Sequence, residues 1–240
     1  MQKYLTIKEA AEYLGVSKQT LRRWDETGQL KASFVSAGGH RRYSPADLEK
    51  LAKGLYRTAT EWAASVEPRA PHDEFYCATS DVFKTRLERM AREMEKNDAL
   101  KDIGPIVVSV AGEIGNNSYD HNTGNWPDLM GSFFAYDLGK RIVVLADRGR
   151  GVLSTLRNTK PGLKDDYEAL TTAFTEVLTG RAPEHRGNGL KFVRKAVMRF
   201  ALNLKFCSGA AELEIRRNDP EFHLTASDQR IRGSLTLFEF

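Results

Sequence analysis

The spacing of apolar residues switches several times between a helical and a strand period, and those switches divide the chain. Ala10, Ala11 and Leu14 lie on one helical stripe and Leu21 and Trp24 on a second, with Gly15 between them. This predicts two short helices joined by a glycine turn. Thr6-Ile7-Lys8-Glu9 has the form of a capping box, and Ser17 stands as the cap of the second helix, Lys18 to about Thr27. After Gly28-Gln29-Leu30, an extended stretch reaches Gly38-Gly39 and then His40-Arg41-Arg42-Tyr43, which predicts a hairpin wing. Ser44-Pro45 opens a third helix through Leu48 and Leu51.

Residues 56–80 contain Pro68, Pro71 and mixed polar positions without a sustained period, and read as a linker. A connecting helix follows over 81–102, in which Phe83, Leu87, Met90 and Met94 form a seam at 4-3-4 spacing. The seam either joins two copies into a homodimer or packs on the C-terminal domain. From Ile103 a helix runs through Val107, Val110, Ala111 and Ile114 to about His121. Strands are expected at Ser132–Leu138, Arg141–Ala146, Leu204–Ser208, Glu212–Arg217 and Ser234–Phe240. Helices are expected over Asp165–Leu178 and after Gly189 through Phe192, Val193, Ala196 and Val197.

A length of 240 residues accommodates two domains, and 41% hydrophobic with 28% charged residues excludes a disordered chain. The longest apolar runs, such as Ile142 to Ala146, fall far short of the roughly 20 residues of a membrane span. With no signal-peptide pattern at the start, a cytoplasmic protein without a membrane partner is expected. Cys77 and Cys207 lack metal-type spacing and read as reduced thiols. Residues 1–55 hold ten Lys/Arg against six Asp/Glu, so they account for the net charge of +4, and this segment is expected to meet an anion.

The second helix is expected to present Lys18, Gln19, Thr20, Arg22 and Arg23. Gln and Arg suit paired bonds to base edges, Lys and Thr suit phosphates, and His40, Arg41 and Arg42 add cations on the wing. The run TIKEAAEYLGVSKQTLRRWDETGQL, followed by GGHRRYSPADLEKL, resembles the MerR and excisionase winged-helix family over roughly residues 3–55. The resemblance implies double-stranded DNA as partner, with the second helix in the major groove and the wing along the backbone.

Farther on, Glu113, Asn117 and Asp120 share one face of an otherwise apolar helix, which is costly unless an ion or a water compensates. Asp147-Arg148-Gly149-Arg150-Gly151 sets a carboxylate at a strand end beside two glycines. Arg186-Gly187-Asn188-Gly189-Leu190 opens a helix whose free amides suit an anion. In this order the segments EIGNNSYDH, DRGRG and RGNGL resemble the N-box and two glycine boxes of the GHKL superfamily of ATP-binding domains. That superfamily includes type II topoisomerases, mismatch-repair proteins, histidine kinases and anti-sigma kinases. The implied architecture is a small, mostly α winged helix (1–55) joined to an α/β two-layer sandwich of the Bergerat type (103–240).

The implied cofactors are ATP and Mg²⁺. Asn117 would hold the metal, with Asp120 on the same face. Asp147 would accept from the adenine amino group, Gly149 and Gly151 would make room for the base, and Gly187 and Gly189 would cradle phosphates. Arg186 and Lys191 are further phosphate partners, and Val152 to Glu184 would form the lid. Glu113 would activate the attacking oxygen, which separates the chain from histidine kinases, where this position is generally Asn. Three functions are consistent with this set: an ATP-responsive DNA-binding regulator, an anti-sigma-type Ser/Thr kinase of a small partner protein, and a slow ATPase that resets a DNA-located assembly.

Overall fold

The computed structural model describes residues 4–14, 16–27, 30–36, 38–67, 69–176, 189–219 and 221–240. In chain order the N-terminal half holds β1 (Leu5–Thr6), α1 (Ile7–Leu14), α2 (Lys18–Thr27), β2 (Phe34–Val35), β3 (Arg41–Tyr43) and α3 (Pro45–Ala64). The reciprocal cap is present. Thr6 N–H donates to Glu9 Oε2 at 2.7 Å and Glu9 N–H to Thr6 Oγ1 at 3.2 Å. Ser17 Oγ accepts from Thr20 N–H at 3.0 Å, so both helices start where their capping residues stand. Strands order as β1-β3-β2, and Ala10, Leu14, Leu21, Trp24, Tyr43 and Leu48 close the small core beneath them.

The remainder comprises β4 (Tyr76–Cys77), α4 (Ser80–Glu95), α5 (Gly104–Asp120), β5 (Ser132–Asp137), β6 (Ile142–Asp147), α6 (Gly151–Leu156), α7 (Asp166–Thr175), α8 (Gly189–Arg199), β7 (Asn203–Ile215) and β8 (Phe222–Glu239). Its five strands form an antiparallel sheet ordered β4-β5-β6-β8-β7. Alternate side chains divide between two cores. Phe134, Tyr136, Val143, Leu145, Leu204, Phe206 and Phe238 point into the core shared with α4, α5, α7 and α8. Phe133, Ala135, Val144, Ala146, Cys207 and Leu235 point into the core that also holds α1, α2 and α3. Burial on both faces is why β5 and β6 read as continuous apolar runs.

The expected two-layer sandwich therefore acquires a third layer, because the helix-turn-helix half and α3 cover the second face of the sheet. Residues 56–64, expected as linker, are the second half of α3. Leu55, Ala59, Trp62 and Ala63 repeat at i, i+4, i+7 and i+8 and are all buried. Two of the four are alanine, so the stripe is thin in sequence although it is helical in period. Trp62 and Phe75 stack near Phe133 at centroid distances of 6.3 and 5.1 Å. A fully buried aromatic of this size contributes about 1.5–3 kcal/mol, so the halves are joined by a core rather than by a tether.

Three further expectations change. The helix placed over 81–102 ends at Glu95, and Phe83, Met90 and Met94 are buried within the chain against α5, so the seam is used internally and not by a second copy. The two strands at 204–208 and 212–217 are one, β7, kinked by register shifts around Gly209 (φ +61°), which in sequence resembles a turn. Within the expected lid, α7 packs Leu170, Ala173 and Phe174 into the main core, and Glu168 N–H caps on Asp165 Oδ1 at 2.9 Å. Residues 177–184 of that segment lie outside the described residues. Among the described residues no helix is long and apolar enough to cross a membrane.

Candidate functional site

On α2 the side chains of Lys18, Gln19, Arg22 and Arg23 are exposed, as expected, whereas Thr20 is not. Thr20 is buried, with its hydroxyl 2.8 Å from Ser17 Oγ, because position N3 of a capped helix turns back toward the cap. On the wing, His40 is exposed and Arg42 half-buried. Arg41 Nε donates to Asp25 Oδ2 at 2.6 Å, so this expected DNA cation is an internal partner of α2. The Arg41 bond, with that from Ala32 N–H, holds the Asp25 carboxyl below its usual range. Arg23 reaches across to the other half, where its guanidinium pairs with Glu74.

Asp147 ends β6 opposite Ser234 of β8 in register. Its Oδ2 accepts from Ser118 Oγ at 3.0 Å and Ser234 Oγ at 2.6 Å, and its Oδ1 from Gly149 N–H at 2.8 Å. Burial pushes this carboxyl up against the pull of those donors. The backbone N–H of Ser234 is a further donor to the same carboxylate. Gly151 opens α6 at φ +74°, a conformation costly for other residues. The next amide, Val152 N–H, donates to Ser208 Oγ at 3.0 Å.

The helix segment carrying Glu113 and Asn117 and the start of α8 also converge. A Cβ at Gly189, the first residue of α8, would stand 2.5 Å from Glu113 Oε2 and 3.5 Å from Asn117 Nδ2. The missing side chain at Gly189 lets the Glu113 carboxylate come up to the start of the helix. Asp120 lies exposed at the end of α5. Lys191 is largely buried, and burial pushes its ammonium down while Glu176 opposes the shift. Arg186 and Gly187 lie outside the described residues.

Four residues that the spacing of motifs did not single out complete the arrangement. Ser118 and Ser234 are the hydroxyl donors to Asp147. Asn122 is buried, donating from Nδ2 to Ser118 O at 2.7 Å and accepting Arg150 N–H on Oδ1 at 2.9 Å. Arg148, inside the first glycine segment, is fully buried. It donates to Trp62 O at 2.5 Å and Ser65 O at 2.9 Å, at the carbonyl end of α3, and from Nη2 to Asp128 Oδ2 at 2.7 Å. Burial works to raise the Asp128 carboxyl, but Arg148 and Leu129 N–H outweigh it and hold it below the usual range. An arginine between an aspartate and a glycine carries no local mark of burial, so only its adjacency to Asp147 was available as a signal.

Residues 4–55 match the family described as a helix-turn-helix domain. Over 98 residues the chain is 31% identical to the HTH-type transcriptional regulator SkgA of Caulobacter vibrioides, covering 41% of this chain and 38% of that protein. Over 51 residues it is 41% identical to the HTH-type transcriptional activator TipA of Streptomyces coelicolor, covering 21% of this chain and 20% of that protein. A further match, 31% over 62 residues, is to the type II methyltransferase M.Eco47II of Escherichia coli, covering 26% and 15%. The chain thus spans less than two fifths of the length of these relatives. No solved structure matches it significantly. The N-terminal part is a helix-turn-helix domain similar to those of HTH-type transcriptional regulators.

Proposed function

We propose that this chain is a DNA-binding regulator whose C-terminal half is a GHKL-type domain binding Mg-ATP, and that nucleotide sets the state of the helix-turn-helix half. The observation that carries the reading is the position of Arg148. It directly follows Asp147, the residue expected to meet adenine, and donates to the carbonyl end of α3, the helix that leaves the DNA-binding half. A change at the glycine segment therefore acts on α3 without an intermediary.

The residues fit the nucleotide. Asp147 would meet the adenine amino group beside the hydroxyls of Ser118 and Ser234. Glu113 and Asn117 meet the first residue of an 11-residue helix, and the N-terminal end of a helix favours an anion. Asn117 would hold Mg²⁺, which would screen the phosphate charge, and Gly189 would admit the phosphates to the amides of α8. Gly149 and Gly151 would line the base beside Asp147, and Arg186 and Gly187 would extend the phosphate contacts. Glu113 is a base for a water or a hydroxyl, so turnover or transfer to a small partner protein is compatible with the same residues. Gln19, Arg22 and Arg23 would read bases, while Lys18, His40 and Arg42 would meet phosphates.

The test is a calorimetric titration of Mg-ATP into the full chain and into Asp147→Asn. Saturable binding that is lost in the variant is expected. Equal binding by both proteins, or none by the wild type, would overturn the nucleotide site.

A further inference from the structure

We infer that Glu74 is a built-in competitor of DNA for Arg23, so that the conformation described is one in which the recognition helix is masked. The inference rests on reading α2 as the recognition helix. Gln19, Arg22 and Arg23 are exposed, but to a groove and not to an open face. They line a groove of about 830 Å³ whose opposite wall includes Glu74, Arg86 and Arg89. A helix reading bases must enter a major groove roughly 8.5 Å deep, with a phosphate ridge passing on each flank. The space for one ridge is taken by the 73–75 segment and α4.

The chemistry of the pair favours the masked state. The Glu74 side chain is only 9% exposed and that of Arg23 is 45% exposed. The carboxylate therefore has little access to water and draws its compensation from the guanidinium, with His72 Nδ1 2.9 Å from its other oxygen. Removing Arg23 to a base edge costs the half-exposed guanidinium little but leaves the buried carboxylate without its principal partner, and that is where the cost falls. The carboxylate cannot easily follow the arginine outward, because its backbone is held. Arg86 of α4 donates to Glu74 O and Asp73 O, each at 2.6 Å.

The same mounting connects the mask to the proposed nucleotide site. Phe83 and Leu87, three residues before and one residue after Arg86 on α4, lie against Gly115 and Gly112 of α5. A Cβ at Gly112 would stand 3.2 Å from Leu87 Cδ2, and one at Gly115 would enter the Phe83 ring. Glu113 and Asn117 belong to this same helix α5. The device is thus a loop carrying Glu74, fixed to α4, with α4 fitted into the glycines of the helix that bears Glu113 and Asn117. Displacement of α5 against α4 shifts the loop and releases Arg23.

The experiment is fluorescence anisotropy of a labelled random-sequence duplex titrated, at low salt, with the full chain, with Glu74→Gln and with Arg23→Met/Glu74→Gln. Glu74→Gln keeps the shape and removes the charge, and a thermal melt checks that each variant is folded. Binding about tenfold tighter in Glu74→Gln, abolished again in the double variant, is expected. Wild-type binding that is weakened by Arg22→Met but unchanged by Glu74→Gln overturns the masking and leaves the DNA reading intact. Failure of wild type and Glu74→Gln alike to bind at low salt overturns the DNA reading itself, and the masking with it.

Discussion

Two arginines cross between the helix-turn-helix half and the sheet, and their surroundings differ in every respect that matters. Arg148 is fully buried, holds two carbonyls at the end of α3 and is paired with Asp128, which also receives Arg232 at 3.1 Å. Arg23 is nearly half exposed and makes its crossing to one loop, through the Glu74 carboxylate and, at 3.4 Å, His72 Nδ1. A guanidinium with all its partners inside the protein cannot be withdrawn without leaving them all unsatisfied, whereas withdrawing the half-exposed Arg23 strands the Glu74 carboxylate and leaves the core intact. The first crossing is a permanent joint and the second a latch. This contrast shows how two domains sharing one core can still have a surface that opens.

The comparison breaks first at the joint. Arg148→Met is expected to lower the unfolding free energy by about 3–5 kcal/mol, since it strands Asp128 and two helix-end carbonyls. Urea unfolding measures this, and a loss under about 1 kcal/mol would make Arg148 no more than a surface ion pair.

Next comes a third crossing, where the turn between β5 and β6 abuts Tyr13 of α1. Asp137 beside it is fully buried, one oxygen accepts Lys140 N–H at 2.9 Å, and burial pushes its pKa up to about 6. The folded value lies above the unfolded one, so its contribution is greatest below about pH 4 and is lost as pH rises through about 6. Removing it by Asp137→Asn should therefore raise stability at pH 7 by roughly 2–3 kcal/mol, with the gain vanishing near pH 4. Melting curves at the two pH values measure this, and a pH-independent difference would count against it.

Packing between α4 and α5 sharpens the contrast further. Gly115→Ala should cost about 1–3 kcal/mol, because its methyl meets the Phe83 ring. Thermal unfolding reads the cost, and an unchanged melting temperature would mean that the two helices can slide freely. The smallest stability effect belongs to the latch. Glu74→Gln should change the unfolding free energy by less than about 1 kcal/mol, although it is the substitution expected to alter DNA affinity most. A large destabilisation in urea would make the latch a second joint.

Part of this molecule was legible before its coordinates. The helix-turn-helix half is built from signals acting within a few residues: the Thr6–Glu9 box, the Ser17 cap and the stripe from Ala10 to Leu14. β5 and β6 likewise followed from apolar runs on either side of Gly139-Lys140. What failed was local ambiguity. The alanines of α3 looked like a weak period, and Gly209 looked like the end of a strand when it is a bulge inside one.

The sequence by itself determined the recognition helix, its caps, the strands that carry Asp147 and the helix that carries Glu113 and Asn117, because short-range hydrogen bonding and periodicity specify each of them. Tertiary structure alone decided that α3 covers the second face of the sheet, that the seam on α4 is consumed by α5, that Arg148 binds carbonyls more than 80 positions away and that Arg23 meets Glu74 across 51. Those contacts depend on how whole elements pack, and no residue's immediate neighbours along the chain encode the partner that packing will bring to it.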